Sequence, residues 1–573
     1  MSNEIKNARS ENTKSFLREA VILTVANFAV KIIGVVFKIP LTNILGDSIG
    51  VFTAAYSIYA MLFMLSTSGL PVAVSKLVAA SNEKGRGREA KRITLLATMV
   101  FGVLGLLCTL ALMVFAPQIA SLTNHAESAL AMRVIAPSLF FICVCSAVRG
   151  HFQGMHNMYP TAISQFIEAF FKFAVGLGAV MFAVSKGASV PVQAACAISG
   201  VTVGSILGTV FTLLYLKFSK KSVLNDTDEN VSSDRELMKL IMVVALPVTF
   251  TAATLYFSQF LDTLVIVNCL VDAGESVDAA QVLYSAYTGL SVPIYDLFPS
   301  TLVFPIGTSI LPAVSGALAV KRMNKAHHLT TQAIRISGII AVPCGVFLMI
   351  AGRACISLIY GVEKWSEPLS MADGSSLLPI DAAANSLSIL GFAVFFISIV
   401  SICNALLNAY GKAHLPSIAV LVGIVVLIVS EVLILKSPAG IYGAPASSLI
   451  CYFIVMFIDI WFLRKYCGVK LKLSGLFSRT LVCGMVTFIV TYFVYGGMRV
   501  VGANMFASVD SRPASFVILL VSGVAMVITY AVSLLVFKAI KEDEVRLLPM
   551  GNWLADKLLS LGWLKQSENI IED

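Results

Sequence analysis

The stretch RGHFQGMHNMYP, residues 149–160, separates two long hydrophobic runs and sets the frame for the rest of the chain. A weaker copy, NAYGKAHLP at residues 408–416, lies near the middle of the second half. Each copy places a glycine and a proline between apolar segments, Gly154 with Pro160 and Gly411 with Pro416. Such residues interrupt helices. We interpret both stretches as polar hinges, and the repeat predicts two similar lobes.

The composition points to one broad class. Of the 573 residues 58% are hydrophobic and 13% are charged, and the mean hydropathy is +0.87. Soluble domains of this size are much less apolar, so a polytopic membrane protein is indicated. The net charge of +9 comes from short basic clusters between apolar runs, which excludes a nucleic-acid surface. The eleven cysteines lack metal-ligand spacing, and no metal is expected.

The hydrophobic runs predict an all-α protein with fourteen transmembrane helices, because about 20 apolar residues cross a bilayer as a helix. The runs are residues 17–45, 50–80, 92–118, 128–150, 159–185, 190–217, 238–269, 280–318, 330–358, 384–410, 415–436, 441–464, 476–498 and 513–538. Lys and Arg crowd alternate loops between these runs, as the positive-inside rule requires. Both termini are therefore predicted to face the cytoplasm.

Six segments follow from this pattern. The predicted division is a cytoplasmic N-terminus (1–16), an N-lobe of six helices (17–217), a polar cytoplasmic linker (218–237), a C-lobe of six helices (238–464), two additional helices (476–538) and a cytoplasmic tail (541–573). Leucines and tryptophans alternate with charged residues in the tail, which favours an amphipathic helix on the membrane surface.

Several motifs carry a family resemblance. They are Arg149-Gly150, Gln153-Gly154-Met155, residues 160–165 (PTAISQ) and residues 69–76 (GLPVAVSK). On these motifs, and over about residues 16–540, the chain resembles the polysaccharide transporter branch of the multidrug/oligosaccharidyl-lipid/polysaccharide (MOP) exporter superfamily. Within that branch it is similar to the group of stage V sporulation protein B-like and lipid II flippase-like proteins.

The resemblance implies two lobes that open alternately to each side of the membrane. Their cargo would be an undecaprenyl-pyrophosphate-linked sugar, moved from the inner to the outer leaflet. It also implies cationic contacts on the first helix, where Lys31 has a matching context and Lys38 follows two turns later. The second-helix arginine of the lipid II flippases is absent, because Ser66-Thr67-Ser68 occupies that region. The particular sugar is therefore left open.

Charged side chains at membrane depth are costly and usually face a cavity or a partner. Lysine suits a pyrophosphate cargo because it donates charge-assisted hydrogen bonds without a fixed bidentate clamp. The predicted pyrophosphate contacts are Lys31, Lys38, Lys76 and Arg133. For Lys38 and Lys76, the alternative is that the side chain reaches back to the membrane interface.

Further charges have other predicted roles. Glu168 and Lys172 lie four residues apart on one helix face, which favours an internal ion pair over a cargo contact. Asp262 and Glu431 have no base nearby in sequence, and such carboxylates commonly bind a proton or a small cation. We predict that these two acids couple transport to Na⁺ or H⁺; a hidden partner such as Arg335 is the alternative. No other cofactor is expected.

The predicted function is a secondary transporter, and not an enzyme, that flips a lipid-linked oligosaccharide or peptidoglycan precursor in the cytoplasmic membrane. It would serve cell-wall, polysaccharide or spore-cortex synthesis, with membrane lipids and cell-wall synthesis enzymes as expected partners of a monomer. One alternative is a cation-coupled exporter of amphipathic drugs with the same fold. Another is a membrane transferase that acts on lipid-linked sugars, which would need clustered catalytic acids or histidines. The chain has no Walker motif, which argues against ATP hydrolysis.

Overall fold

The structure, a computed structural model, is almost entirely helical. It describes residues 36–67, 69–155, 157–219, 232–319, 321–412, 414–471 and 473–540, with isolated positions between 26 and 34 and between 542 and 560. The first helices are α1 (Val36–Leu45), α2 (Ile49–Thr67), α3 (Gly69–Glu83), α4 (Gly87–Leu122), α5 (Ala129–Ile135), α6 (Pro137–Gly154), α7 (Tyr159–Ser185) and α8 (Val190–Phe218). The predicted N-terminus, most of the linker 218–237 and most of the tail 541–573 lie outside the described residues.

The later helices complete the fold. They are α9 (Asp234–Asp272), α10 (Val277–Ala286), α11 (Val292–Phe298), α12 (Phe304–Ala319), α13 (Met323–Tyr360), α14 (Pro379–Ala409), α15 (His414–Leu435), α16 (Gly443–Cys467), α17 (Leu473–Met505) and α18 (Arg512–Val536). Two short antiparallel strands, β1 (Leu369–Ser370) and β2 (Ser376–Leu377), pair in the loop between α13 and α14.

The all-α polytopic fold class is confirmed. Ten helices in the described part of the chain are long and apolar enough to cross a membrane. The predicted run 50–80 corresponds to α2 and α3, which lie on either side of residue 68, outside the described residues. The run 280–318 is interrupted by π-helical turns at Tyr287–Ser291 and Pro299–Val303. Proline lacks an amide hydrogen, and such positions commonly kink or widen a helix. The total of fourteen spans stays a prediction.

The helices form two compact units. The first contains residues 1–268 and 280–285, and the second contains residues 269–279 and 286–573. By contacts, therefore, most of α9 belongs to the first unit, where Leu237, Ile241 and Ala245 pack into an apolar cluster with α3 and α4. The second unit has its own larger apolar core, built mainly from α14 and α16. The lobe boundaries predicted from the sequence stay predictions.

Hydrogen bonds connect the residues just before α9 to the first turn of α4. Ser233 and Glu236 form a reciprocal capping box, in which each side chain accepts a hydrogen bond from the other residue's amide. Glu89, at the start of α4, accepts hydrogen bonds from the amide and the hydroxyl of Ser232, both at 3.0 Å. These contacts position the helix that carries Asp262 within the first unit.

Both predicted hinges are helix boundaries. The helix α6 ends at Gly154, whose Cα approaches α3 so closely that a Cβ would lie 2.6 Å from the Ser75 carbonyl oxygen. Pro160 occupies the first turn of α7, and Pro416 the first turn of α15. Gly411 has a φ of 72°, which favours glycine, in the turn between α14 and α15. Bending at these four residues stays a prediction.

Candidate substrate-binding cavity

A cavity of about 280 Å³ lies among the helices of the first unit. Five helical segments contribute to its wall, and most of the wall is apolar or aromatic. The lining residues are Val30, Ile33, Gly34, Phe37, Tyr56, Tyr59, Phe63, Ile142, Arg149, Gln165, Glu168, Ala169, Lys172, Val201 and Ser205. A small set of polar groups in an apolar wall is typical of a ligand site.

Arg149 and Glu168 form an ion pair across this wall. The Arg149 Nη2 atom donates to Glu168 Oε1 at 2.7 Å, and Arg149 Nε donates to Ser164 Oγ at 2.8 Å. The Arg149 side chain is only 9% exposed, so its charge needs this carboxylate. The pair connects α6 to α7, and the two opposite charges compensate each other.

Lys172 lies one turn further along α7 and is held by aromatic rings. Its Nζ atom lies 4.7 Å from the Tyr56 ring centroid, 5.3 Å from the Phe37 centroid and 3.4 Å from the Tyr56 hydroxyl. A row of ring contacts continues through Phe37, Phe52, Tyr56, Tyr59 and Phe63. Ring faces attract an ammonium group without neutralising it. The Lys172 side chain therefore faces the cavity with aromatic partners.

Glycines of α8 allow α7 to approach closely enough to present these side chains. A Cβ on Gly200 would lie 2.6 Å from the Lys172 carbonyl oxygen, and a Cβ on Gly204 would lie 2.6 Å from the Glu168 carbonyl oxygen. One turn later, a Cβ on Gly208 would lie 2.9 Å from the Glu168 side chain. Small residues at four-residue spacing are typical of closely packed membrane helices. The three glycines therefore allow close packing of α8 against the part of α7 that carries Glu168 and Lys172.

The polar groups of the cavity suit an anionic ligand. Two cations and one carboxylate line it, which leaves one positive charge among the described lining residues. No carboxylate of the described chain lies within ion-pair distance of Lys172. The Gln165 Oε1 atom is enclosed and has no hydrogen-bond partner there, so it can accept from a ligand hydroxyl. A phosphate carried by a polar group matches this combination.

The predicted ion pair between Glu168 and Lys172 is wrong. Both side chains face the same cavity, as their spacing indicated, but Glu168 pairs with Arg149 from α6. Arginine offers planar, directed donors to a carboxylate, whereas the lysine finds the aromatic row. The shared helix face of Glu168 and Lys172 was predictable from their spacing, whereas the ion-pair partner of Glu168 lies on another helix.

The four predicted pyrophosphate contacts have different surroundings. Lys31 lies outside the described residues, although its neighbours Val30 and Ile33 line the cavity. Lys38 is half-buried on α1, and Lys76 and Arg133 are exposed. None of the last three belongs to the described lining of the cavity. Their contact with a pyrophosphate stays a prediction.

The two predicted coupling acids lie in different units. Asp262 is half-buried on α9 in the first unit, and its Oδ1 atom is enclosed with no hydrogen-bond partner in the described chain. Glu431 is 1% exposed on α15 in the second unit. The described residues contain no group of three or more His, Cys, Asp or Glu side chains that could hold a metal ion. Coupling through these acids stays a prediction.

Sequence reasoning missed three parts of the cavity. Arg149 was assigned to the polar hinge, although a base inside an apolar run is itself a sign of a site. The aromatic residues of α2 share one face through their spacing at 52, 56, 59 and 63, which a helical projection would have shown. The GxxxGxxxG row at 200, 204 and 208 is also readable from the sequence.

The fold and this cavity define a multi-pass membrane protein of a known family. The profile of the family described as "Polysaccharide biosynthesis protein" matches residues 16–318. The chain belongs to that family.

Curated relatives extend the similarity over most of the chain. The chain is 25% identical over 556 residues to stage V sporulation protein B of Bacillus subtilis (strain 168), which covers 94% of this chain and 98% of the relative. It is 23% identical over 481 residues to the lipid II flippase MurJ of the same strain, covering 80% and 85%. The predicted membership of the MOP superfamily agrees with these matches.

Solved structures share the fold. A lipid II flippase MurJ in an inward closed conformation superposes with a TM-score of 0.63 at 14% identity, covering 90% of this chain and 99% of that one. An inward-facing multidrug resistance MATE family transporter of the MOP superfamily gives a TM-score of 0.61 at 15% identity, covering 79% and 99%. At such identities the similarity establishes the fold alone.

Proposed function

We propose that the protein is a flippase that moves a polyprenyl-pyrophosphate-linked sugar, an oligosaccharide or a peptidoglycan precursor, from the inner to the outer leaflet. The observation that carries this proposal is the Lys172 side chain in the cavity wall, whose Nζ atom contacts aromatic rings and has no carboxylate of the described chain within ion-pair distance. Similarity to stage V sporulation protein B over 94% of the chain and to a lipid II flippase over 80% supports the same class of cargo.

The cavity chemistry suits binding followed by release. A single lysine attracts a phosphate without the bidentate geometry that would hold it tightly. Arg149 is paired with Glu168, so the pair forms part of the cavity wall and contributes no net charge. Val30 and Ile33 line the cavity, and Lys31 and Lys38 lie in the same stretch of sequence, so the proposed path of the pyrophosphate follows the first helix.

Other parts of the proposal come from the sequence. The protein lies in the cytoplasmic membrane as a monomer with both termini in the cytoplasm, and it opens alternately to the two sides. Asp262 and Glu431 bind the coupling Na⁺ or H⁺. Cell-wall synthesis enzymes supply and consume the lipid-linked sugar.

Drug export is the second candidate, because the fold also matches a multidrug transporter. Cationic amphipathic drugs favour a cavity with an excess of carboxylates. The described cavity has the opposite balance, with Arg149 and Lys172 against Glu168. The charge balance therefore favours the anionic lipid cargo.

A reconstitution experiment separates the two candidates. The purified protein would be placed in vesicles with an undecaprenyl-pyrophosphate-linked sugar that carries a label, and an impermeant glycosidase would be added outside. Parallel vesicles would be tested for transport of the cationic dye ethidium. We expect protein-dependent exposure of the sugar and no ethidium transport. Ethidium transport without sugar exposure, under imposed sodium or proton gradients, would show that the protein is a drug exporter and contradict the flippase proposal.

A further inference from the structure

Asp459 lies in the middle of the apolar core of the second unit. It is 0% exposed on α16, and the residues around it on the same helix, Val455, Met456, Ile460 and Leu463, all belong to the core cluster. From α14, Cys403 belongs to the same core cluster. No other acidic side chain of the described chain is so completely enclosed.

The carboxyl group of Asp459 has no hydrogen-bond donor. Neither Oδ1 nor Oδ2 has a partner in the described chain, and no cation lies within ion-pair distance of either atom there. The helices that pack most extensively against α16 are α14 and α15, and their titratable side chains are Asp381 and Cys403 on α14 and His414 and Glu431 on α15. At the end of α16, the His327 Nε2 atom of α13 lies 3.1 Å from the Cys467 carbonyl oxygen. The bases on α16 itself, Arg464 and Lys465, are exposed, as is His414.

An ionised carboxylate is not stable in these surroundings. Burying an unpaired charge in an apolar core costs several kcal/mol at least, so the group takes up a proton instead. A metal cation would need several further oxygen ligands, and the described residues contain no group of three or more His, Cys, Asp or Glu side chains that could hold one. A proton needs only the carboxyl group itself.

We propose that Asp459 is a proton-binding site of the second unit, which holds a proton in the conformation described here and releases it during the transport cycle. A leucine or methionine would fill the same space without the cost of burying an acid, and intramembrane acids usually serve transport of ions or substrates. The proposal goes beyond the flippase function, because the site lies outside the cavity of the first unit.

Infrared spectroscopy tests the site without any transport assay. The wild-type protein in lipid should show the C=O stretch of a protonated carboxylic acid at neutral pH, and Asp459→Asn should lose this band. Asp278→Asn, at an exposed acid on α10, is the matched control and should keep it. We expect the Asp459 band to fall as the pH is raised through the alkaline range. A band that is absent at neutral pH, or that persists unchanged at every pH, would overturn the proposal.

Transport measurements test the release step. In vesicles with the labelled lipid-linked sugar, a proton gradient should accelerate sugar exposure by the wild type and by Asp278→Asn but not by Asp459→Asn. Exposure without a gradient should be the same for the wild type and for Asp278→Asn. Equal acceleration of Asp459→Asn, or acceleration of the wild type by sodium alone, would contradict the proposal. Failure of the wild type to expose sugar at all would count against the flippase function and leave the infrared result to decide the proton site.

Discussion

Arg149 keeps its charge inside the helix bundle because Glu168 lies 2.7 Å away. Either residue alone would be left as a partly buried charge, and breaking such a pair costs about 3–5 kcal/mol. We therefore predict that Arg149→Met and Glu168→Gln each lower thermal stability strongly, whereas the double variant recovers part of the loss. Thermal unfolding in detergent should give a coupling energy of about 1–3 kcal/mol.

The control for this cycle pairs Arg149→Met with Lys186→Met, because Lys186 lies beyond the end of α7 and contacts Phe182. That pair of substitutions should be additive. Additivity of the Arg149 and Glu168 substitutions as well would show that the observed contact does not couple the two charges.

Single residues also mark the limit of sequence reasoning about the site. The spacing of Glu168 and Lys172 correctly placed them on one helix face, because that follows from helical geometry alone. Their partners, Arg149 and Tyr56, lie 19 and 116 residues away in the chain and are brought close by packing between helices. Sequence periodicity carries no information on which side chain of another helix reaches the same point.

The α7–α8 contact predicts opposite effects for two glycine substitutions. Gly204→Ala would place a Cβ 2.6 Å from the Glu168 carbonyl oxygen and should destabilise the protein by about 1–3 kcal/mol through overpacking. Gly178→Ala on α7 has no neighbouring atom within 4 Å and should be neutral or stabilising by about 0.5–1 kcal/mol. Melting temperatures of the two variants provide the measurement; a loss of the same size for both would argue against close packing at Gly204.

The turn between α4 and α5 predicts a loss of stability in acid. His125 is 2% exposed, its Nδ1 atom lies 2.8 Å from the Thr123 carbonyl oxygen, and burial lowers the pKa of the imidazole. The folded state thus favours the neutral ring, so the stabilisation is present above the unfolded pKa of about 6.5 and is lost as the pH falls below it. His125→Gln should reduce the drop in melting temperature on acidification.

His414→Gln is the control for this prediction, because His414 is exposed at the start of α15. It should leave the acid dependence unchanged. The same steep acid dependence in wild type and His125→Gln would mean that another group titrates.

Helix existence was predictable, whereas helix interruptions were only partly so. Long apolar runs correctly predicted α4, α7, α8 and α18, because crossing a membrane requires their length. The prolines in residues 280–318 indicated bends. The two π-helical turns, however, depend on backbone hydrogen bonding and on packing against neighbouring helices.

At the scale of the whole molecule, composition was sufficient to predict a multi-pass membrane protein. The apolar composition follows from the cost of exposing polar groups to lipid, which applies to every residue alike. The division into compact units was harder to predict, because α9 follows the linker in sequence yet packs through Leu237 and Ile241 with α3 and α4. Such contacts depend on the tertiary structure and leave no periodic signal.

The central claim is that the Lys172 charge binds the phosphate of the lipid-linked cargo, and the initial rate of sugar exposure tests it most directly. Vesicles would contain wild type, Lys172→Met or the control Lys186→Met, each with the pyrophosphate-linked and the monophosphate-linked sugar. Loss of a hydrogen bond between charged groups corresponds to about 10- to 100-fold in rate. We predict that loss for Lys172→Met with the pyrophosphate cargo, a smaller loss with the monophosphate, and wild-type rates for Lys186→Met. Wild-type rates for Lys172→Met with both cargoes would contradict the claim.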